Sequence, residues 1–497
     1  MSIFSLIQEV LNYGIDKKFI DKEDEIYSRN LILDCLNLDE WKDENIKAND
    51  NNIEDLLIAI CQWAVRNKFI NNSLVEMELL DTKIMNCISP RPSEVIKNFY
   101  TDFKNSPELA TKNYYNFSKN TNYIRAKRIE KNLHWLSPTQ YGDLEITINL
   151  AKPEKDPKDI EREKNMPKSS YPNCLLCIDN VGYRGRLNHP ARQTHRVIPM
   201  TLKNENWYFQ FSPYVYYNEH SIIFCEEHRP MKMSKNTFDR LLEFVDSFPH
   251  YCIGSNADLP IVGGSILSHD HYQAGNHIFP MEKASIEKSF KIKKFNNVDA
   301  EIVNWPMSVI RLTSKDKEEL SKATEYVFKK WQTYSDLSCD ILAFTDNIPH
   351  NTVTPIARKV DNSFQIDLAL RNNRCSDEHP MGIFHPHSDV HNIKKENIGL
   401  IEVMGLAILP GRLQDEMKSL EIYLNDKEWD IKLKNDPILS KHHNWAKNIM
   451  KNNSTPIDSS ILKEEIGKVF LTVLEHAGVF KRDVFGKKAF TKFIDIL

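Results

Sequence analysis

The stretch from Gly263 to Gln273 places three small residues, Gly263, Gly264 and Ser265, ahead of the run His269-Asp270-His271-Tyr272-Gln273. If that run is extended, side chains two apart point to the same face. His269, His271 and Gln273 then share one small volume: a metal ligand or base, a nucleophile and an amide donor. The small residues let a ligand approach the backbone closely. One His-x-His pattern is weak evidence in a chain with 17 histidines. It gains weight from Cys174 and Cys177, whose spacing lets two thiolates reach one zinc ion from a tight turn. A redox pair and two buried thiols are the rivals, although no βαβ setting surrounds the pair to suggest thioredoxin-like use. A tetrahedral site needs two more ligands, and His228 and His269 are the economical candidates. The alternative is that both are core histidines satisfied by hydrogen bonds.

The elements that must hold these groups follow from periodicity. Ile53, Leu56, Leu57, Ile60 and Ala64 make a helical stripe after a candidate Asn52 cap, and Pro92 suits a first helical turn ahead of Val95, Phe99 and Phe103. Residues 1–115 are expected to form a helical region packed on the rest. Arg125, Lys127 and Arg128 concentrate charge, and their spacing alone reads as a solvated helix face. Leu144, Ile146, Ile148 and Leu150 alternate as a strand does. Residues 152–170 are crowded with Lys, Asp, Glu and Pro and are expected to be an exposed loop. From 171 to about 290 the chain is β-rich, interrupted by a helix over 234–248 whose Phe238, Leu241, Leu242 and Val245 share one face for packing.

A similar order of features returns later. Ile341, Ala343 and Thr345 alternate, then come His350 and His385-Pro386-His387. This suggests a weak internal duplication of one half-barrel unit, with chance similarity as the alternative. The second copy has no Cys-x-x-Cys, and Asp389 stands where the first has Gln273. His350, His385 and His387 could bind a second metal, with Glu282 or Glu287. The expected fold is α+β: a tandem half-barrel of mostly antiparallel sheet with flanking helices (116–300 and 301–497) and a helical N-terminal region.

Composition sets outer limits. A chain of 497 residues with 41% hydrophobic and 27% charged residues is ordinary for two or three globular domains. Its net charge of -4 gives no case for a nucleic-acid binder, so phosphate chemistry must rely on local cations. The longest apolar stretch, 398–409, is interrupted by Glu402 and too short to span a bilayer. Residues 1–19 lack the basic start and cleavage site of a signal peptide. Nine scattered cysteines suggest a reducing compartment, hence the cytoplasm.

Longer segments carry a resemblance. They are 91–95, Tyr141-Gly142-Asp143-Leu144-Glu145-Ile146, Asn188-His189-Pro190-Ala191-Arg192-Gln193, 212–220, 254–265 and 395–412. Through them the chain resembles the galactose-1-phosphate uridylyltransferase family, in its second, mostly bacterial type, within the histidine-triad superfamily. The resemblance implies exchange of UMP between sugar 1-phosphates, with UDP-glucose and galactose 1-phosphate as substrates, and a homodimer. It also implies zinc, with iron as the alternative, on Cys174, Cys177, His228 and His269. It places the nucleophile on His271 and the family glutamine on Gln273. Phosphate contacts fall on Asn256 and Ser265, and the family arginines on Arg125 and Arg128, which lifts those two above a solvated face. Two departures stand out. Asp270 replaces the proline that lies between the two histidines in the first type, and the gap from Ser265 to His269 is one residue longer.

The implied chemistry explains the residue types. A neutral imidazole attacks a phosphorus surrounded by negative oxygens more readily than an anion does, and holds the nucleotide between two half-reactions. Glutamine donates hydrogen bonds without titrating. Two other functions remain open on sequence: a histidine-triad nucleotide hydrolase or dinucleotide phosphorylase, against which Gln273 argues, and a non-catalytic sugar-nucleotide binding protein.

Overall fold

A computed structural model describes residues 1–44, 52–151, 161–163, 166–167, 169–264 and 266–497. Most of the expected loop at 152–170, and Ser265, lie outside the described residues. The chain forms two compact units: residues 1–131, 153–215 and 219–228, and residues 132–152, 216–218 and 229–497.

The first unit opens with helices Ile3–Asp16, Glu25–Leu36, Ile53–Arg66, Leu74–Asn86, Pro92–Phe103 and Pro107–Asn120. The Asn52 side chain accepts from the Glu54 N–H, satisfying one orphan donor of the third helix. That helix buries Ile53, Leu56, Leu57, Ile60 and Ala64 against Leu6, Ile7 and Val10 of the first. Each large apolar side chain so buried contributes roughly 1.5–3 kcal/mol. Pro92 occupies the first turn of its helix, where the missing N–H costs nothing. Strands Ile198–Leu202, Glu205–Phe211 and Ser221–Cys225 follow, each antiparallel to the next.

In the second unit a run of antiparallel strands has the order His271–Gly275, Cys252–Gly254, Asn351–Val360, Ser363–Asn372, Val309–Ser314, Asp299–Val303, Ile286–Phe290. The expected helix is Lys235–Ser247, closed at its start by a capping box between Ser234 and Thr237. Strand Leu144–Asn149 is buried on both faces, Leu144, Ile146 and Ile148 lying in the apolar core and Glu145, Thr147 and Asn149 being buried as well; its edges pair with Leu133–Ser137, antiparallel, and Leu406–Pro410, parallel. Its Glu145 is buried but partnered by His277 at 3.0 Å. The apolar run 398–409 is two elements, helix Leu400–Val403 and strand Leu406–Pro410, parted by Gly405 at φ +100°. No helix among the described residues is long and apolar enough to cross a membrane.

The strand that starts at His271 is seated by Gly254, which faces Gln273 on one side and Ile356 on the other. A methyl group on Gly254 would come within 2.7 Å of a Leu400 methyl and 2.9 Å of the Pro355 carbonyl. Gly254→Ala is therefore expected to destabilise the protein by about 1–3 kcal/mol through overpacking, read as a lower urea midpoint at unchanged slope.

Candidate active site and metal centre

Cys174 and Cys177 lie on a tight turn ahead of the short 3-10 segment Ile178–Asn180. Their sulfurs are 3.5 Å apart, the Leu176 N–H donates to Cys174 Sγ at 3.3 Å, and Cys177 Sγ lies 3.2 Å from Nδ1 of His228. Among the described residues one group of side chains could hold a metal ion: Cys174, Cys177, His228 and His269, with their ligand atoms all within 4.8 Å of one another. A tetrahedral ion with metal–sulfur bonds of about 2.3 Å and metal–nitrogen bonds of about 2.0–2.1 Å holds its ligands about 3.3–3.8 Å apart. The Cys174–Cys177 and Cys177–His228 separations of 3.5 and 3.2 Å lie near that spacing, and the outer limit of 4.8 Å leaves about an ångström to close on binding. Burial and the neighbouring Cys174 push the Cys177 thiol up to about 11. A nearby cation is what would make a thiolate pair tolerable there.

The turn has its own support. Asn180 Nδ2 donates to the carbonyls of Cys174 at 2.8 Å and Cys177 at 2.9 Å. Its Oδ1 accepts from Nε2 of His189 at 2.7 Å. Burial, aided by Arg186 and Arg192, pushes His189 down to about 4, so the ring is a neutral donor. Neither Asn180 nor His189 was assigned a role from sequence, although His189 falls in one of the family segments.

The strand His271–Gly275 starts at the second histidine, leaving His269, which is fully buried, in the preceding bend. Nδ1 of His271 is 2.7 Å from the His269 carbonyl. A carbonyl only accepts, so Nδ1 carries the proton and Nε2 keeps the lone pair. Burial pushes this imidazole down to about 4. His271 is thus a neutral ring with one fixed tautomer, the form a nitrogen nucleophile needs.

Asn256 is buried beside the small-residue stretch. Its Oδ1 accepts from the Leu400 N–H at 2.9 Å, and a methyl on Gly264 would meet its Nδ2 at 2.4 Å. Gly264 is therefore needed to let the Asn256 amide lie where it does. Arg125 and Arg128 have carboxylate partners that sequence did not suggest. Arg125 makes a bidentate pair with Asp81 at 2.6 and 2.9 Å, and Arg128 pairs with Glu78.

The later histidines are built differently. Among the described residues, His350, His385 and His387 belong to no group that could hold a metal. His350 meets Asn373 and Thr345, His385 meets Asn397, and His387 donates from Nε2 to the Ile383 carbonyl. Glu287 pairs with Arg482 and Lys487, and Glu282 lies 3.9 Å from Arg358. His385-Pro386-His387 thus has the His-x-His pattern while its rings are spent on hydrogen bonds and stacking, His387 lying between His379 and His476.

Two family profiles match the chain, described as galactose-1-phosphate uridyl transferase N-terminal domain, over residues 18–230, and C-terminal domain, over 243–446. A galactose-1-phosphate uridylyltransferase of Fusobacterium nucleatum is 54% identical, with 100% of this chain and 99% of the relative covered. The enzyme of that name from Halalkalibacterium halodurans is 55% identical at 100% and 99% coverage, and that of Bacillus subtilis 49% at 100% and 98%. Among solved structures, yeast Ap4A phosphorylase Apa2 aligns with a TM-score of 0.33 and 11% identity over 66% of this chain and 91% of that one.

Titration with cobalt(II) reads the metal site through its thiolate-to-metal charge-transfer absorption. The native protein is expected to develop that absorption with one equivalent bound and protons released. Cys177→Ser is expected to lose most of it, and to bind at least tenfold more weakly.

Proposed function

The chain belongs to the galactose-1-phosphate uridylyltransferase family and is a nucleotidyltransferase, and we propose that it carries UMP from UDP-glucose to galactose 1-phosphate through a uridylyl group on Nε2 of His271. The observation that carries this reading is the 2.7 Å hydrogen bond from Nδ1 of His271 to the His269 carbonyl, which leaves Nε2 as the free nucleophile.

In the first half-reaction Nε2 attacks the α-phosphorus. The phosphorus–nitrogen bond forms as the bond to the glucose 1-phosphate oxygen breaks. The ring becomes positive, and its Nδ1–H bond to the carbonyl strengthens as it does, an interaction worth more in the transition state than before it. In the second half a phosphate oxygen of galactose 1-phosphate takes the phosphorus back and frees the imidazole. Both leaving groups are weak bases, so no strong general acid is needed. Gln273, one position beyond Tyr272 on the same strand, is assigned as the non-titrating amide donor.

Asn256 and Ser265 are both assigned as anion contacts. Arg125 and Arg128 are assigned to the phosphate oxygens of the substrate, each from its present pair with a carboxylate, Asp81 for Arg125 and Glu78 for Arg128. Losing one donor of this kind costs roughly 2.7–4 kcal/mol of barrier. Cys174, Cys177, His228 and His269 would hold the metal, and two thiolates with two imidazoles suit zinc. A bound ion would supply an anchor for His269, and through it for the backbone that presents His271. The same proposal covers the division into a helical region and two histidine-triad-like units, a cytoplasmic location and a homodimer.

Incubation with UDP-glucose labelled at the α-phosphate, without acceptor, tests the reading. Acid-labile, base-stable label on the chain is expected; His271→Asn abolishes it and Asp270→Asn does not. Release of all label as free UMP would favour the hydrolase, and tight binding with no label transfer a binding protein.

A further inference from the structure

Helix Lys235–Ser247 does more than pack. Its Arg240 is buried, and one guanidinium nitrogen, Nη1, donates to the Tyr272 hydroxyl at 3.2 Å and lies 3.7 Å from a carboxylate oxygen of Asp270. Asp270 and Tyr272 are the residues immediately before and after His271. In an extended chain they project to the face opposite His271. One buried cation therefore grips the backbone's two neighbours of the nucleophile from behind.

A second arginine completes the grip. Nε of Arg229 lies 3.4 Å from the same Asp270 oxygen, and the Arg229 carbonyl accepts from the Asp270 N–H at 2.7 Å. That N–H explains the departure at this position: a proline, as in the first type, could not make the bond. The flanking chain is tied as well. The Met231 N–H donates to the Leu267 carbonyl at 2.9 Å, and the Met233 N–H to Asp258 at 2.7 Å. The Asp270 carboxylate, only 9% exposed, is neutralised by two guanidinium groups, so it does not repel an incoming phosphate.

We propose that Arg240, acting through Asp270 and Tyr272, is a positioning residue for His271. It touches neither substrate nor the reacting nitrogen. It sets the direction in which Nε2 meets the α-phosphorus, where a displacement of about 1 Å costs roughly 10²-fold in rate. The proposal rests on the uridylyl-transfer reading above.

The test uses the full-length, metal-loaded protein and compares native, Arg240→Met, Arg240→Lys, Asp270→Asn and Tyr272→Phe. Single-turnover uridylylation from labelled UDP-glucose, kcat, KM, metal content and Tm are measured for each. Arg240→Met is expected to lower the uridylylation rate and kcat at least tenfold, with KM for UDP-glucose within twofold and metal content unchanged. Arg240→Lys should recover part of that loss, and Tyr272→Phe and Asp270→Asn should each lose about three- to tenfold. Arg240→Met combined with Asp270→Asn should be no slower than Arg240→Met alone. A lower Tm with an unchanged uridylylation rate well below it would overturn the proposal, since that marks a purely structural role. If Arg240→Met does not fold, Tyr272→Phe decides, because it removes one oxygen and no packing; a native rate there overturns the proposal. Absence of label on the native protein would instead overturn the transfer reading on which this one rests.

Discussion

The hydrogen bond between Nδ1 of His271 and the carbonyl of His269 is the constraint on which the rest of the candidate site turns. It does two things with one proton. It selects the tautomer in which Nε2 is nucleophilic, and it fixes the ring relative to the backbone of a residue that is also a candidate metal ligand. A ring free to flip would present the wrong nitrogen for part of the time. A ring tied to a side chain would move with it, whereas a backbone carbonyl in a supported bend does not. Electrostatics runs the same way, because burial keeps the imidazole neutral.

The surrounding architecture serves that one bend. Gly254 has no side chain because the neighbouring strand, Leu400 and the Pro355 carbonyl leave no room for one. Gly264 has none because the Asn256 amide lies against it. The Cys-x-x-Cys turn is braced by Asn180, which bridges both cysteine carbonyls, and Asn180 is held in turn by a neutral His189. These are outer supports of the kind that aim metal ligands and tune their basicity. The helical region of the first unit has its own core and caps, so its stability owes little to the chemistry.

How much of this was legible in the sequence depended on the range of each interaction. The helix after Asn52 and the helix over 234–248 follow from local spacing, and the structure has them where spacing predicts; that Gly264 lies against the Asn256 amide was not legible. The Cys174, Cys177, His228 and His269 group was also legible, because the two-residue spacing of the cysteines suits one ion and two histidines were on hand to complete a tetrahedral set. Partners distant in sequence were not. Nothing local says that Asp81 and Glu78 take Arg125 and Arg128, or that Arg240 reaches Asp270 and Tyr272. A count of apolar positions treated that helix as packing, and the one signal available was an arginine among its buried residues. The alternation of Leu144, Ile146 and Ile148 marked the strand, but nothing local told that its parallel neighbour comes from residues 406–410. In His385-Pro386-His387 the rings have hydrogen-bond and stacking partners instead of a metal, which residue spacing does not distinguish.

In the proposed reaction Nε2 of His271 carries the nucleotide between the two half-reactions. Mass spectrometry of the protein quenched at alkaline pH after brief exposure to UDP-glucose, followed by digestion and fragmentation, addresses it directly. One uridylyl group is expected, on the peptide containing His271 and localised to that ring, disappearing when galactose 1-phosphate is added before the quench. A uridylyl group on any other residue, or full turnover with none on the chain at any time, would contradict it.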